Sequence, residues 1–100
     1  MDEVVVLRYL EDLHREIERD SGKNPDLVTD DVQPLNGLGG FDSTLIPNVI
    51  RGLARAMGIT LAKGSRLRNL YVGPDGKHKL TLHAVAKQFC DIYGKEDKSN

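Results

Sequence analysis

The stretch Leu38–Gly58, LGGFDSTLIPNVIRGLARAMG, decides how the chain is read. Its apolar residues Ile46, Val49, Ile50, Leu53 and Met57 recur at the three- and four-residue steps that line one face of an α-helix. Gly58 supplies a stop, so the spacing predicts a helix over about 44–57. Pro47 leaves two registers open. With Ser43 as N-cap, the proline stands at the fourth helical position and removes one backbone donor. With the regular helix starting at Pro47, Ser43 belongs to the preceding loop. Both registers set Ser43 at the mouth of the helix, directly after Asp42 and the Gly39-Gly40 turn.

Toward the N-terminus, Asp2 is suited to cap a helix whose apolar positions are Val6, Leu10, Leu13 and Ile17, and Ser21-Gly22 is suited to end it. Residues 23–40 hold Pro25 and Pro34 without any sustained period, which signals a long loop. Leu27, Val28, Val32, Leu35 and Leu38 are scattered through it, so the loop is expected to lie across the bundle with its aliphatics tucked in. Downstream, Ile59, Leu61, Leu67, Leu70 and Val72 pass through an irregular stretch in which Ser65 is suited to cap a short helical piece. Gly73-Pro74-Asp75-Gly76 reads as a turn. Thr81 then caps a last helix with Leu82, Val85, Phe89 and Ile92 on one stripe, and the charged tail after about Gly94 is expected to fray. The fold class is thus all-α: one domain over 1–100, a small four-helix bundle of three main helices and one short. Ile46, Val49, Leu53 and Met57 should pack against Val6, Leu10, Leu13, Ile17, Val85 and Phe89.

Composition narrows the function classes. A single cysteine, Cys90, excludes an intrachain disulfide framework and an all-cysteine metal site. The acidic N-terminus is the reverse of a secretory signal and no apolar run spans a bilayer, so the expected setting is cytoplasmic, with no membrane association. Charge is divided: residues 1–42 carry 4 Lys/Arg against 11 Asp/Glu, net −7, and residues 43–100 carry 10 against 4, net +6. Two such halves can steer a charged partner or simply attract each other.

The Leu38-to-Ser43 motif, followed by a helix in this order of elements, resembles the attachment site of acyl and peptidyl carrier proteins. The resemblance covers roughly residues 4–93, although only the motif is specific. It implies an acyl-carrier-protein-like bundle that is monomeric and not an enzyme. Ser43 would carry a covalent 4'-phosphopantetheine arm, and Asp42 would help a phosphopantetheinyl transferase recognise the site and place its metal; no resident metal is implied. The arm's thiol would hold an acyl or aminoacyl group for acyl-activating, acyltransferase or synthase partners in fatty-acid, polyketide or related biosynthesis. A phosphodiester on Ser43 is expected to sit near free N–H groups and the positive end of the helix. Two departures stand out: Thr44 replaces the family's usual apolar residue, and Asn48, Arg51 and Arg55 stand where the family presents acidic residues. The segment 62–80 is also longer than the family's usual connection.

Other readings compete. Arg51, Arg55, Lys63, Arg66, Arg68, Lys77 and Lys79 crowd the second half, with Tyr71 as one candidate stacking platform, so a small helical nucleic-acid-binding module is the alternative. A protein-interaction domain is a further one, with Ser43 only a helix cap. The carrier reading expects no nucleic-acid partner. Catalysis has weaker support, because Ser43 lacks a Gly-x-Ser-x-Gly elbow and His14, His78 and His83 have no metal-pair spacing.

Overall fold

The computed structural model describes residues 2–61, 69–73 and 75–97. Helix α1 spans Glu3–Asp20, α2 Pro34–Gly37, α3 Ile46–Ala56 and α4 Leu82–Asp97, with 3-10 turns at Pro25–Leu27 and Ser43–Leu45. The described residues form no strand; Val72 and Lys79 make one isolated antiparallel bridge. A radius of gyration of 13.1 Å matches the ~13 Å of a compact chain this long. None of the described helices is long and apolar enough to cross a membrane.

Helix α1 begins where Asp2 accepts a hydrogen bond from the Val4 N–H at 2.9 Å. It ends in a Schellman turn: Gly22 N–H donates to Arg19 O and Lys23 N–H to Glu18 O, with Gly22 at φ +74°. The end of α3 repeats the device, Gly58 N–H donating to Arg55 O and Ile59 N–H to Ala54 O, again at φ +74°. Space is open around Gly58, so the φ alone resists a side chain there. Gly58→Ala should therefore cost about 1 kcal/mol, read from thermal denaturation.

Helix α1 packs chiefly on α4, and α3 joins them. Val6, Leu10, Ile46, Val49, Ile50, Leu53, Leu82, Val85 and Phe89 are buried at their meeting. Leu13, Ile17 and Met57, expected in the core, are only half-buried. The buried line of α1 instead runs Val6, Leu10, His14, Glu18. Residues four apart advance about 40° around a helix of 3.6 residues per turn. The buried face therefore winds around α1 toward the chain that covers its far end.

The long loop does lie across the bundle, and it buries Val28, Pro34 and Leu38 while Leu27 stays exposed. Its carbonyls finish α4. Leu82 N–H donates to Val32 O and His83 N–H to Asp30 O, while Thr81 Oγ1 accepts from Ala84 N–H at 3.2 Å. First-turn donors that a helix cannot satisfy itself are thus met by the loop and the Thr81 cap. The short helix sits in this loop, at Pro34–Gly37, where a helix-free segment was expected. The short piece expected at Ser65 falls outside the described residues. Helix α4 continues through Asp97, beyond the expected end near Gly94.

Candidate functional site

The chain reaches the serine through four residues held in different ways. Gly39 and Gly40 are not in the left-handed region; they are small because they cross close to the end of α1. A Cβ on Gly39 would meet the Lys23 side chain at 3.3 Å, and one on Gly40 would lie 2.5 Å from Glu18 Oε2 and 2.9 Å from Ser21 Oγ. Gly40 N–H donates to both oxygens of the Glu18 carboxylate, at 3.1 and 2.9 Å, and Glu18 is fully buried.

Phe41 turns inward. Its ring centroid lies 4.5 Å from that of His14, edge to face, and 4.9 Å from that of Tyr71. His14 Nε2 and the Tyr71 hydroxyl share a 2.7 Å hydrogen bond, and both side chains are buried. Burial pushes the His14 pKa down to about 4 and the Tyr71 phenol upward. Tyr71 is brought here by a small turn in which Gly73 N–H donates to His78 O and Leu80 N–H to Tyr71 O. Gln88 of α4 fastens that turn by donating to Leu70 O and Val72 O. Tyr71 is therefore a core residue, which corrects its reading as a surface platform for stacking bases; an aromatic ring that is 1 % exposed offers no face to a base.

Asp42 is the cap. Its Oδ1 accepts from Thr44 N–H at 2.8 Å and from the Thr44 hydroxyl, and its backbone carbonyl accepts from Leu45 N–H. The Thr44 hydroxyl and, next, the Thr44 N–H hold the Asp42 carboxyl below the usual carboxylate range. Ser43 follows as the first residue of the 3-10 turn, and Pro47 is the second residue of α3, in the first turn, where its missing N–H forfeits no intrahelical bond. This resolves the two open registers and corrects the reading of Ser43 as N-cap. It also corrects the expected anion niche: the N–H groups of Thr44, Leu45 and Ile46 are bonded to Asp42 Oδ1, Asp42 O and Ser43 O. The cap carboxylate already stands where an added phosphate was expected to find free donors.

The Ser43 side chain is exposed and makes no hydrogen bond among the described residues, and Asp42 Oδ2 makes none either. Asp42→Ala should therefore lower the melting temperature clearly more than Ser43→Ala; equal losses in a thermal scan would return the capping role to the serine.

No protein-family model, curated protein or solved structure matches this chain. The site must speak through its own geometry. Beside the 3-10 turn, an apolar cleft of about 210 Å³ opens between α1 and α3, lined by Leu13, Ile17, Leu45, Asn48 and Val49. Asn48, Arg51 and Arg55 are exposed along one face of α3, spaced by three and four residues. Among the described residues no three His, Cys, Asp or Glu side chains converge to hold a metal. Nor does a histidine reach Ser43: His14 bonds Tyr71, His78 lies 3.3 Å from Asp75, and His83 lies 3.3 Å from Glu3.

Asp42 and Ser43 stand at the helix mouth where the sequence puts them, whereas Glu18 and His14 were not singled out from the sequence. A signal for them existed in the uninterrupted four-residue steps Val6, Leu10, His14, Glu18. Apolar periodicity overlooks such a line because its last two members are polar.

Proposed function

We propose that this protein is an acyl-carrier-like domain that bears a 4'-phosphopantetheine arm on Ser43 and delivers a thioester-bound acyl or aminoacyl group to partner enzymes. The observation that carries the reading is the division of labour between neighbours: Asp42 caps the turn, which leaves the exposed Ser43 hydroxyl without a hydrogen-bond partner among the described residues. A serine spent on capping would have its oxygen committed to the backbone.

The chain's own residues make the serine a usable attachment point. Phe41 anchors the loop, so the modifying enzyme meets a hydroxyl at a defined place instead of a wandering loop. Asp42 stays ionised because Thr44 bonds its Oδ1, and its Oδ2 is open to a metal carried by the transferase. The phosphate added to Ser43 would project into solvent beside Asp42, since the N–H groups of Thr44, Leu45 and Ile46 are already bonded. The arm supplies the thiol chemistry. The domain then raises the effective concentration of its cargo at each partner without a catalytic group of its own.

The resemblance to carrier proteins sets this expectation, and the departures colour it. An exposed arginine pair on α3 fits partners that present carboxylates around their docking site. The nucleic-acid alternative is weakened by the burial of Tyr71. The test is transfer of the arm from coenzyme A to Ser43 by a broad-specificity transferase with Mg²⁺, followed by intact-protein mass.

A further inference from the structure

We infer that Glu18 is a positioning residue for Ser43: its buried carboxylate clamps the Gly40 amide and so fixes the place where the chain leaves the bundle for the serine. The functional half of this inference rests on the carrier reading; the clamp itself does not.

Three consecutive residues are tied by three different interactions. Gly40 is held by a charge-assisted hydrogen bond, Phe41 by its ring between His14 and Tyr71, and Asp42 by its capping bonds to Thr44. Ser43 is the first residue beyond this mount whose side chain is not bonded. Of the three ties, only the one at Gly40 joins the loop backbone to a side chain of α1, the element packed on α4 and α3.

A fully buried carboxylate needs a reason, because an ionised side chain out of water is costly unless it is hydrogen-bonded. Mere termination of α1 does not supply one. The Schellman turn already satisfies the helix end through Gly22 and Lys23, and it uses the Glu18 carbonyl, not its side chain. The carboxylate is directed at one external backbone donor, 22 residues away, and both of its oxygens reach that donor. The loop is shaped to match, since a Cβ at residue 40 would lie 2.5 Å from Glu18 Oε2. A hydrogen bond to a charged acceptor is about twice as strong as a neutral one, which suits a latch that must hold a loop in one register.

The experiment compares wild type, Glu18→Gln, Glu18→Leu and Thr81→Ala. The last removes the Thr81 cap of α4 and leaves the ties at Gly40, Phe41 and Asp42 in place. Two quantities are read on each: hydrogen exchange of the Gly40 amide by NMR, and the rate of arm transfer from coenzyme A by the transferase, resolved into kcat and KM. Glu18→Leu should speed Gly40 exchange at least about tenfold relative to Thr81→Ala and lower kcat/KM by roughly ten- to a hundredfold, since a small displacement of a reacting group has effects of that size. Glu18→Gln keeps one carbonyl acceptor in the same shape, so it folds and should fall between wild type and Glu18→Leu. Positioning is overturned if the Glu18 variants keep wild-type exchange and transfer, or if Thr81→Ala loses as much transfer, which would make the effect one of general stability. If wild type accepts no arm, the carrier reading fails, and Gly40 exchange alone still decides whether the clamp exists.

Discussion

Incubated with coenzyme A, Mg²⁺ and a broad-specificity phosphopantetheinyl transferase, the wild-type protein should gain the mass of one arm, and Ser43→Ala should gain none. The expected contrast is complete because the bond forms at a single oxygen: the serine hydroxyl attacks the phosphate of coenzyme A that carries the pantetheine, and the nucleotide portion leaves. The same substitution should hardly alter stability. The Ser43 side chain is exposed and makes no hydrogen bond among the described residues, so its removal leaves no buried group unpaired. That pairing of total functional loss with little structural loss is what a dedicated attachment residue should show. If folded wild type remains unmodified with several transferases, Ser43 is an ordinary surface serine. The basic face of α3 would then point to a protein-interaction role, tested by its dependence on Arg51 and Arg55.

Acidification should destabilise the fold between about pH 6.5 and 4 through His14. The neutral imidazole is buried, its Nε2 faces the Tyr71 hydroxyl, and its Nδ1 has no hydrogen-bond partner among the described residues. Burial lowers its pKa from 6.5 to about 4 in the folded chain. The unfolded chain therefore binds a proton over this interval that the folded chain refuses. Stability is greatest above pH 6.5, falls as pH drops toward 4, and changes no further through this group below that. A shift of this size corresponds to about 3 kcal/mol, an appreciable part of the stability of a domain this small. Asp42 and Asp75 have carboxyls held below their usual values, so their own losses come mainly at lower pH. Urea denaturation of wild type and His14→Gln at pH 7, 5.5 and 4.5 separates the contributions, because carboxylate effects are common to both. Wild type should lose more than the variant over this range; parallel curves would show that His14 is not the titrating group. The consequence reaches the site, since Phe41 leans on the His14 ring and charging it would disturb the anchor beneath Ser43.

Much of the fold was legible because its signals are local. Asp2 caps α1, Gly22 and Gly58 end two helices in the left-handed conformation, and Thr81 caps α4, each through contacts within a few residues. The apolar steps of α3 and α4 were read correctly for Ile46, Val49, Leu53, Val85 and Phe89. On α1 the stripe holds for Val6 and Leu10, while Leu13 and Ile17 pack against the core only half-buried, because periodicity finds an apolar stripe but not the shape of what will cover it. The identity of the cap was lost for a subtler reason. Asp and Ser are both good caps, and adjacent ones compete for the same donors. Pro47 near the start of α3 leaves room for a preceding 3-10 turn, and Asp42 caps it.

The sequence by itself determined both ends of α1, the stop of α3 at Gly58 and the start of α4 after Thr81, that these helices have apolar faces to bury, and that Asp42-Ser43 stands where one of them starts. Each of these depends on interactions spanning at most a turn or so of chain. Tertiary structure alone decided that His14 and Glu18 are interior, that Tyr71 is core and not surface, and that Gly40 is held from α1. Those outcomes rest on contacts between residues 57 and 22 positions apart, His14 with Tyr71 and Glu18 with Gly40. Polar side chains like these can be buried only where a distant partner arrives to hydrogen-bond them, and no local pattern announces that arrival.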